Sequence, residues 1–222
     1  MLEPGLIIFD CDGVIADSEI LSAEVLIDQL AALEIGLTAE DVRRDFLGRS
    51  FPTVAATIRE RFGRPLPDDF EAAYRRRLLD RFEHDLRPTP GLAAMLDRLQ
   101  WPACVATSSS PERVGRTLDL LDLARRFGPH VFTASQVARG KPAPDLFLFA
   151  AARMGVAPAR TVVVEDSPPG IAAAEAAGMA VLHYRGGAHL KGTAAPASVR
   201  SFDNWAEFPQ LLKDIQQGAA LS

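Results

Sequence analysis

The sequence is poor in cysteine and has no long apolar run. Its 222 residues include two cysteines, Cys11 and Cys104, each in an apolar stretch typical of a strand. We interpret them as buried free thiols, which fits a reducing cytoplasm. No apolar run approaches the roughly 18 residues that a membrane-spanning helix needs, so we expect no membrane association. The first five residues lack the basic stretch and small-residue cleavage site of a secretory signal, so we expect none.

Acidic residues outnumber basic ones, and lysine is rare. The formal net charge is −5 at pH 7, which disfavours a nucleic-acid partner because such proteins usually carry a basic face. Only three of the 24 basic residues are lysines, so few side chains are available for a role that needs an amine. The histidines show no metal-binding spacing, and we interpret all four as structural or surface residues: His84, His130, His183 and His189.

Strand-like and helix-like patterns divide the chain into two parts. An apolar run at 6–9 has the composition of a buried parallel strand, and no comparable run follows until 103. Beyond 88, strands alternate with helices, which is typical of a parallel sheet covered by helices on both faces. We therefore predict an α/β fold, in which a Rossmann-like parallel sheet core (1–15 and 89–222) carries an inserted all-helical cap domain (16–88).

The cap pattern contains four helices with recognisable ends. The first covers 18–35, with Ser18 as its N-cap and Gly36 as its stop. Thr38 to Asp41 resembles a capping box that opens a second helix ending at Gly48. Two further helices are predicted near 52–62 and 68–84. In the core we predict strands at 104–106, 130–132, 161–164 and 181–183, helices at 111–121, 144–155, 170–177 and 205–216, and an irregular loop at 186–197.

Polar side chains follow the strong strands at the points where the strands end. Asp10 and Asp12 follow the first strand, Thr107 to Ser110 follow the second, and Glu165-Asp166-Ser167 follow the strand at 161–164. Lys141 lies in the loop before the helix at 144–155. Because reactive groups gather at the carboxyl ends of parallel strands, we expect these residues to converge on one edge of the sheet.

The carboxylates in these groups predict a magnesium site. Asp10 and Asp12 flank one residue, so their side chains leave the same side of an extended strand. Like charges this close repel unless a cation compensates them, and Glu165 and Asp166 add negative charge. Oxygen ligands without histidine or cysteine suit Mg²⁺ better than Zn²⁺. With Lys141, hydroxyl groups and loop amides nearby, such a site fits phosphate oxygens.

These clusters resemble, in order, the four motifs of the haloacid dehalogenase superfamily. The resemblance covers the whole chain, because 16–88 lies where that family places its cap. The opening of the chain is similar to bacterial sugar-phosphate and 6-phosphogluconate phosphatases of the family, and to the β-phosphoglucomutases. The motifs are Asp10-Cys11-Asp12-Gly13-Val14, Thr107-Ser108, Lys141-Pro142 and Glu165-Asp166-Ser167-Pro168-Pro169-Gly170.

The resemblance implies a role for each motif residue. Asp10 would be the nucleophile that forms an aspartyl-phosphate, and Asp12 the general acid and then the base. Lys141 would neutralise charge between Asp10 and the phosphoryl group. Thr107 and the amide of Ser108 would hold the phosphoryl oxygens. The implied Mg²⁺ ligands are Asp10, Asp12 through its carbonyl, Asp166 and Glu165.

We expect the cap to choose the substrate, because the core residues serve only the phosphoryl group. Arg49 lies where relatives carry a substrate-reading loop, and its guanidinium would meet a sugar hydroxyl or a carboxylate. The alternative is an ordinary exposed arginine near a helix end. We therefore expect the substrate to be a small phosphate monoester, either a sugar phosphate or a sugar-acid phosphate.

Other chemistries of the superfamily leave their own marks. Dehalogenases lack the second aspartate, which is present here as Asp12. Phosphonoacetaldehyde hydrolases use a cap lysine, and 16–88 contains no lysine. The β-phosphoglucomutases carry a cap histidine where this chain has Ser22. Hydrolysis is therefore favoured, with a β-phosphoglucomutase-type mutase as the first alternative. A non-catalytic regulatory or binding protein on the same fold is the second.

Overall fold

The computed structural model describes residues 4–195 and 198–216. In this part of the chain, six strands form one parallel sheet in the order β3-β2-β1-β4-β5-β6. The strands are β1 (Leu6–Phe9), β2 (Ala103–Thr107), β3 (Val131–Thr133), β4 (Thr161–Glu165), β5 (Ala180–Tyr184) and β6 (Ser201–Phe202).

Four helices of the described chain form the insert that follows β1, and six further helices come after them. The first group is α1 (Glu19–Ala31), α2 (Ala39–Asp45), α3 (Phe51–Phe62) and α4 (Phe70–Asp85). The second group is α5 (Leu92–Leu96), α6 (Pro111–Leu120), α7 (Ala124–Phe127), α8 (Asp145–Arg153), α9 (Pro168–Ala176) and α10 (Phe208–Gln216). Short 3₁₀ turns connect several of these elements.

Strand β1 is central because its side chains are apolar on both faces. Leu6 and Ile8 point to one side of the sheet, where α8 and α9 pack. Ile7 and Phe9 point to the other side, which α5, α6, α7 and α10 cover. A strand covered on both faces reads as a continuous hydrophobic run, which is why this one was visible in the sequence. The predicted α/β fold class is confirmed.

The helices α1 to α4 form a third apolar cluster around Leu30, Ile58 and Phe82. The segments that lead into and out of these four helices lie side by side, since Ala16 and Pro88 form an antiparallel bridge. This bridge lies at the positions where the sequence analysis divides the chain. The division into a core domain and a cap domain stays a prediction.

Two predicted helix starts, at Ser18 and Thr38, are correct, whereas α1 and α2 end before the stops predicted at Gly36 and Gly48. The capping box is present, because the Thr38 hydroxyl accepts from Asp41 N (3.1 Å) and the Asp41 carboxylate accepts from Thr38 N (3.0 Å). Ser18 does occupy the N-cap position of α1, but its hydroxyl makes no cap hydrogen bond and donates to Asp12 instead. Helix α1 also stops before Gly36, because the chain turns at Glu34, which has a φ of 59°.

The elements that the sequence patterns missed are short. Helices α5 and α7 and strand β6 have five, four and two residues, too few for a helical or alternating period to be visible. The predicted irregular loop at 186–197 contains a 3₁₀ turn, Ala188–Leu190, and its residues 196 and 197 lie outside the described part.

Two expectations from composition concern the cysteines and membrane-spanning helices. Cys11 and Cys104 are both buried free thiols, as predicted. Among the described residues, none of the helices combines the length and the apolar character needed to cross a membrane.

Candidate active site

The polar residues that follow β1, β2 and β4 meet at one edge of the sheet, together with Lys141 from the loop before α8. Asp10 and Asp12 follow β1, Glu165 is the last residue of β4, and Asp166 comes directly after it. All five side chains are buried. Buried charges occur in proteins when they are paired or bind an ion, so this group requires a partner for each charge.

Lys141 is the cationic centre of the group. Its Nζ donates to Asp10 Oδ1 and to Glu165 Oε1, both at 2.6 Å, and to the Ala106 carbonyl at 3.2 Å. Its side chain is 1% exposed. Burial lowers the pKa of Lys141, but the neighbouring carboxylates of Asp10 and Glu165 outweigh this and raise the pKa above its usual range. Lys141 therefore stays charged and holds the nucleophile candidate in place.

Glu165 has hydrogen bonds to both carboxylate oxygens. While Oε1 accepts from Lys141, Oε2 accepts from Asp166 N (2.9 Å), Ser167 N (2.9 Å) and Ser167 Oγ (2.8 Å). This close packing requires the glycine at 170, because a Cβ there would lie 1.8 Å from Glu165 Oε1. Glu165 thus joins the loop after β4 to Lys141.

Asp12 is held by three donors. Its carboxylate accepts from Ser18 Oγ, Ser109 Oγ and Arg113 Nη2, each at 2.6 Å. Burial would raise the pKa of Asp12, but the Arg113 guanidinium and the two hydroxyl donors outweigh it and lower the pKa. The side chain is therefore anionic in this arrangement and is fixed in one orientation.

Asp10 and Asp166 have the opposite character. Burial raises the pKa of Asp10, Lys141 counteracts part of this rise, and Glu165 and Asp166 add to it. Burial and the charge of Glu165 likewise raise the pKa of Asp166. Carboxyls with raised pKa values in such a cluster gain most from a bound cation, because a cation stabilises their charged forms.

The acidic residues fit a divalent metal ion. Ligand oxygens of Asp10, Glu165 and Asp166 lie within 4.8 Å of one another. Lys141 and Arg113 neutralise only two of the four strand-end carboxylates, and Asp166 Oδ2 is buried without a hydrogen-bond partner. All the available carboxylate ligands are hard oxygens, which suits Mg²⁺. The excess negative charge, the type of ligand and the unpartnered oxygen of Asp166 are all consistent with a bound Mg²⁺ ion.

A cleft of about 620 Å³ separates this edge of the sheet from the cap helices. Its volume lies within the range typical of small-molecule sites. The predicted phosphate-binding residues Thr107 and Ser108 line it with Asp10 and Asp12, and exposed Arg49 lines it from the cap side. Cap and core touch directly here, since Ser108 Oγ donates to the Gly48 carbonyl at 2.9 Å.

Arg113 is a residue of this site that the sequence analysis missed. Besides Asp12, its Nη2 donates to Ser22 Oγ on cap helix α1 at 2.9 Å. Its guanidinium lies 5.5 Å from the ring centre of Phe82 on α4. Its position in the sequence could have identified it, because Arg113 is in the first turn of the helix that begins directly after the loop from Thr107 to Ser110.

Glu19 and His189 were also missed. Glu19, in the first turn of α1, lines the cleft and is half-buried, and burial raises its pKa to about 8. His189 was interpreted as a structural or surface residue, yet its Nε2 lies 2.8 Å from Asp166 Oδ2. The loop that carries His189 gave no sequence signal, because a Gly- and Ala-rich loop shows neither helical nor strand periodicity.

Comparison with known families identifies the family of this chain. The profile of the haloacid dehalogenase-like hydrolases matches residues 4–178, which include all four motif clusters. The chain belongs to this family. Its haloacid dehalogenase-like fold accounts for the nucleophile candidate at the end of the central strand and for the helical insert that follows it.

Several curated relatives of this haloacid dehalogenase-like chain are named as phosphatases. The 6-phosphogluconate phosphatase of Escherichia coli (strain K12) is 26% identical over 208 residues, which cover 93% of this chain and 94% of the relative. The phosphorylated carbohydrates phosphatase of Thermotoga maritima is 31% identical, with coverage of 78% and 81%. We conclude that the chain is an enzyme of the phosphoric monoester hydrolase class.

A solved structure supports the assignment to the haloacid dehalogenase-like family. A conserved haloacid dehalogenase-like protein of unknown function from Agrobacterium tumefaciens str. C58 superposes with a TM-score of 0.79 at 32% identity. The match covers 96% of this chain and 99% of that one. The similarity therefore extends over the helical insert as well as the sheet.

Proposed function

We propose that this enzyme is a Mg²⁺-dependent phosphatase that hydrolyses a small phosphate monoester through an aspartyl-phosphate on Asp10. The observation that carries the proposal is the pairing of Asp10 with Lys141 beside a second aspartate. Asp10 is fixed by the ammonium, while Asp12 stands on the same strand end with its own set of donors. A nucleophile and a separate acid and base are what a two-step phosphoryl transfer needs.

In the first step a carboxylate oxygen of Asp10 bonds to phosphorus and the bond from phosphorus to the ester oxygen breaks. The leaving oxygen keeps the electron pair and takes a proton through Asp12, which is anionic in the free enzyme and would first take up this proton from the bound phosphate monoester. In the second step Asp12 takes a proton from water, and the water oxygen bonds to phosphorus. The bond to Asp10 then breaks and inorganic phosphate leaves with the proton from Asp12, which returns both aspartates to their anionic starting forms.

The remaining motif residues would support these steps from fixed positions. Thr107 and the amide of Ser108 would hold the phosphoryl oxygens, and Lys141 would neutralise charge between Asp10 and the phosphoryl group. Asp10, the Asp12 carbonyl and Asp166 would bind Mg²⁺, which when bound supplies positive charge against the phosphoryl oxygens. Since both Glu165 oxygens already accept hydrogen bonds, we assign Glu165 to holding Lys141 beside the ion.

For the substrate we propose a sugar phosphate or a sugar-acid phosphate. Two cap arginines, Arg49 and Arg75, line the cleft with Tyr74 and Glu19. Guanidinium groups bind carboxylates bidentately, and a carboxyl group such as that of Glu19 forms hydrogen bonds with sugar hydroxyls. The names of the two curated relatives, which act on 6-phosphogluconate and on phosphorylated carbohydrates, support the same class. A cytoplasmic location stays a prediction.

The test is Mg²⁺-dependent phosphate release from a panel of sugar phosphates, sugar-acid phosphates and glycolytic intermediates. The variants are Asp10→Asn and a matched control, Asp97→Asn, whose side chain is 80% exposed. We expect release with the wild type and the control, and none with Asp10→Asn or with EDTA. Substantial turnover by a folded Asp10→Asn variant would contradict the nucleophile assignment. A preference for a sugar acid that disappears in Arg49→Ala would assign Arg49 to the substrate.

Mutase activity is the alternative, and Ser22 bears on it. In the structure Ser22 accepts from Arg113 and donates to the Ser18 carbonyl, so it belongs to the group that holds Asp12. A serine in this position offers no imidazole to delay hydrolysis, which favours a phosphatase. If no ester is hydrolysed but β-glucose 1-phosphate is converted to the 6-phosphate with a bisphosphate primer, the mutase is the correct assignment.

A further inference from the structure

His189 lies against the candidate metal ligand Asp166 from outside the four motifs. It belongs to the 3₁₀ turn after β5, and its side chain is 6% exposed. Its Nε2 is 2.8 Å from Asp166 Oδ2. Among the described residues, Nδ1, Nε2 and that carboxylate oxygen have no hydrogen-bond partner, so the approach of Nε2 to Oδ2 is a close polar contact whose N–H is not aligned with the oxygen. Buried polar atoms without partners are costly and rare, so three at one point indicate a function for the pair.

The surrounding backbone is shaped to admit the imidazole ring. A Cβ at Gly13 would lie 2.9 Å from His189 Cε1, and a Cβ at Gly187 would lie 2.7 Å from the same atom. Gly13 also has a φ of +77°, which side-chain-bearing residues rarely adopt. Ring and glycines therefore fit together, and a larger residue at either position would displace His189.

The loop that carries His189 is fixed to the junction between core and cap. Ala188 N donates to Asp17 Oδ1 at 3.0 Å, and Leu190 N donates to the Gly187 carbonyl at 3.1 Å. Asp17 follows Ala16, which forms the bridge with Pro88 at the base of the helical insert. The backbone before and after His189 is thus held in place.

We propose that His189 is a positioning residue for the metal site and acts through Asp166. A small turn of the ring that aligns Nε2–H with Asp166 Oδ2 would hold the carboxylate and leave its other oxygen to the ion. His189 is outside the group of ligand atoms that lie within 4.8 Å of one another, so it acts as a support and the carboxylates remain the ligands. A histidine or carboxylate partner of this kind orients a ligand and strengthens metal binding.

This inference rests on the proposed function only in its premise that the acidic group binds Mg²⁺. Its test is Mg²⁺ binding to the metal-free full-length protein by isothermal titration calorimetry, without substrate. His189→Leu removes the donor at similar volume, whereas His189→Gln keeps an N–H at a comparable distance. We expect a loss of about 10- to 100-fold in affinity for His189→Leu and near wild-type affinity for His189→Gln.

Two further variants make the result independent of folding defects. Gly187→Ala keeps the imidazole but displaces it, and we expect it to weaken Mg²⁺ binding too. His130→Leu, at an exposed histidine, is the matched control and should bind like the wild type. Circular dichroism and thermal melting identify the folded variants.

The possible outcomes separate the inference from its premise. If the wild type binds Mg²⁺ and folded His189→Leu and Gly187→Ala bind it equally well, the inference is wrong and the proposed function is untouched. If His189→Gln loses as much affinity as His189→Leu, packing and not hydrogen-bond donation is the cause, which also overturns it. If the wild type binds no Mg²⁺, both the inference and the metal dependence of the proposed function are wrong.

Discussion

Lys141 Nζ lies 2.6 Å from Asp10 Oδ1, and the same nitrogen lies 2.6 Å from Glu165 Oε1. One ammonium therefore joins the end of β1 to the end of β4, two neighbouring strands of the sheet. The lysine comes from a loop 131 residues away from Asp10 along the sequence. We expect stability and activity to depend on the same contact, because the cation that holds the proposed nucleophile also offsets the charge of a fully buried glutamate.

Lys141→Met should therefore cost both stability and activity. Removing one partner of a buried ion pair leaves an uncompensated charge, which typically costs about 3–5 kcal/mol in the free energy of unfolding. Urea denaturation of the variant and the wild type measures this difference, and Mg²⁺ should recover part of it. Lys191→Met is the control, since Lys191 is exposed. Equal midpoints for the two variants would contradict the prediction, as would phosphate release by Lys141→Met at the wild-type rate.

Gly170→Ala tests the position of Glu165 without changing any charge. A Cβ at 170 would lie 1.8 Å from Glu165 Oε1, so the carboxylate has to move away from Lys141. We expect loss of activity and a lower melting temperature. Gly115→Ala is the matched control, because no atom lies within 4 Å of its added Cβ and the residue is inside helix α6. That variant should stay active and gain roughly 0.5–1 kcal/mol in stability.

The sheet and the acidic residues were predictable because their signals are local. A strand buried on both faces appears as a run such as Leu6 to Phe9, and a carboxylate directly after it stands out against the apolar background. The parallel sheet then brings separate strand ends together by topology alone. Residues that depend only on strand ends, such as Asp10 and Asp166, were therefore found without coordinates.

Contacts made by helices and loops across the cleft were not predictable in the same way. Arg113 reaches Asp12 only because α6 packs beside α4 and α1, and His189 reaches Asp166 only because the loop after β5 folds back over Gly13. Neither side chain belongs to a periodic pattern or follows a strand. Ser18 was correctly placed at the N-cap position of α1, but its hydroxyl donates to Asp12 and makes no cap hydrogen bond, which a serine before a helix usually makes.

Arg113→Ala should impair the proton transfers assigned to Asp12. The variant removes the guanidinium that holds the carboxylate at 2.6 Å and leaves Ser18 and Ser109 as its donors. General acid–base groups contribute on the order of 100-fold or more, so we expect a fall of at least about tenfold in kcat/KM for a sugar phosphate. The loss should be smaller for p-nitrophenyl phosphate, whose leaving group needs little protonation.

Arg116→Ala is the control for that experiment. Arg116 is on the same helix and also pairs with a cap residue, Glu83, but it makes no contact with Asp12 among the described interactions. Its kcat/KM values should stay within about twofold of the wild type, because an exposed ion pair contributes little. Equal losses for the two substrates in Arg113→Ala would indicate a general structural defect and contradict the role in positioning Asp12.

Glu19→Gln should change how stability depends on pH. Burial raises the pKa of Glu19 from 4.5 to about 8, so the folded protein binds a proton that the unfolded chain releases above about pH 4.5. The contribution of Glu19 is therefore present in full at acidic pH and is lost as the pH rises towards 8.

Glutamine has the shape of the protonated acid and does not titrate. The melting temperature of Glu19→Gln minus that of the wild type should be smallest near pH 5, grow up to about pH 8 and level off above it. A difference that stays constant from pH 5 to 9 would mean that Glu19 keeps an ordinary carboxyl pKa and is charged in the cleft at neutral pH, in which case it would repel the phosphate of the substrate.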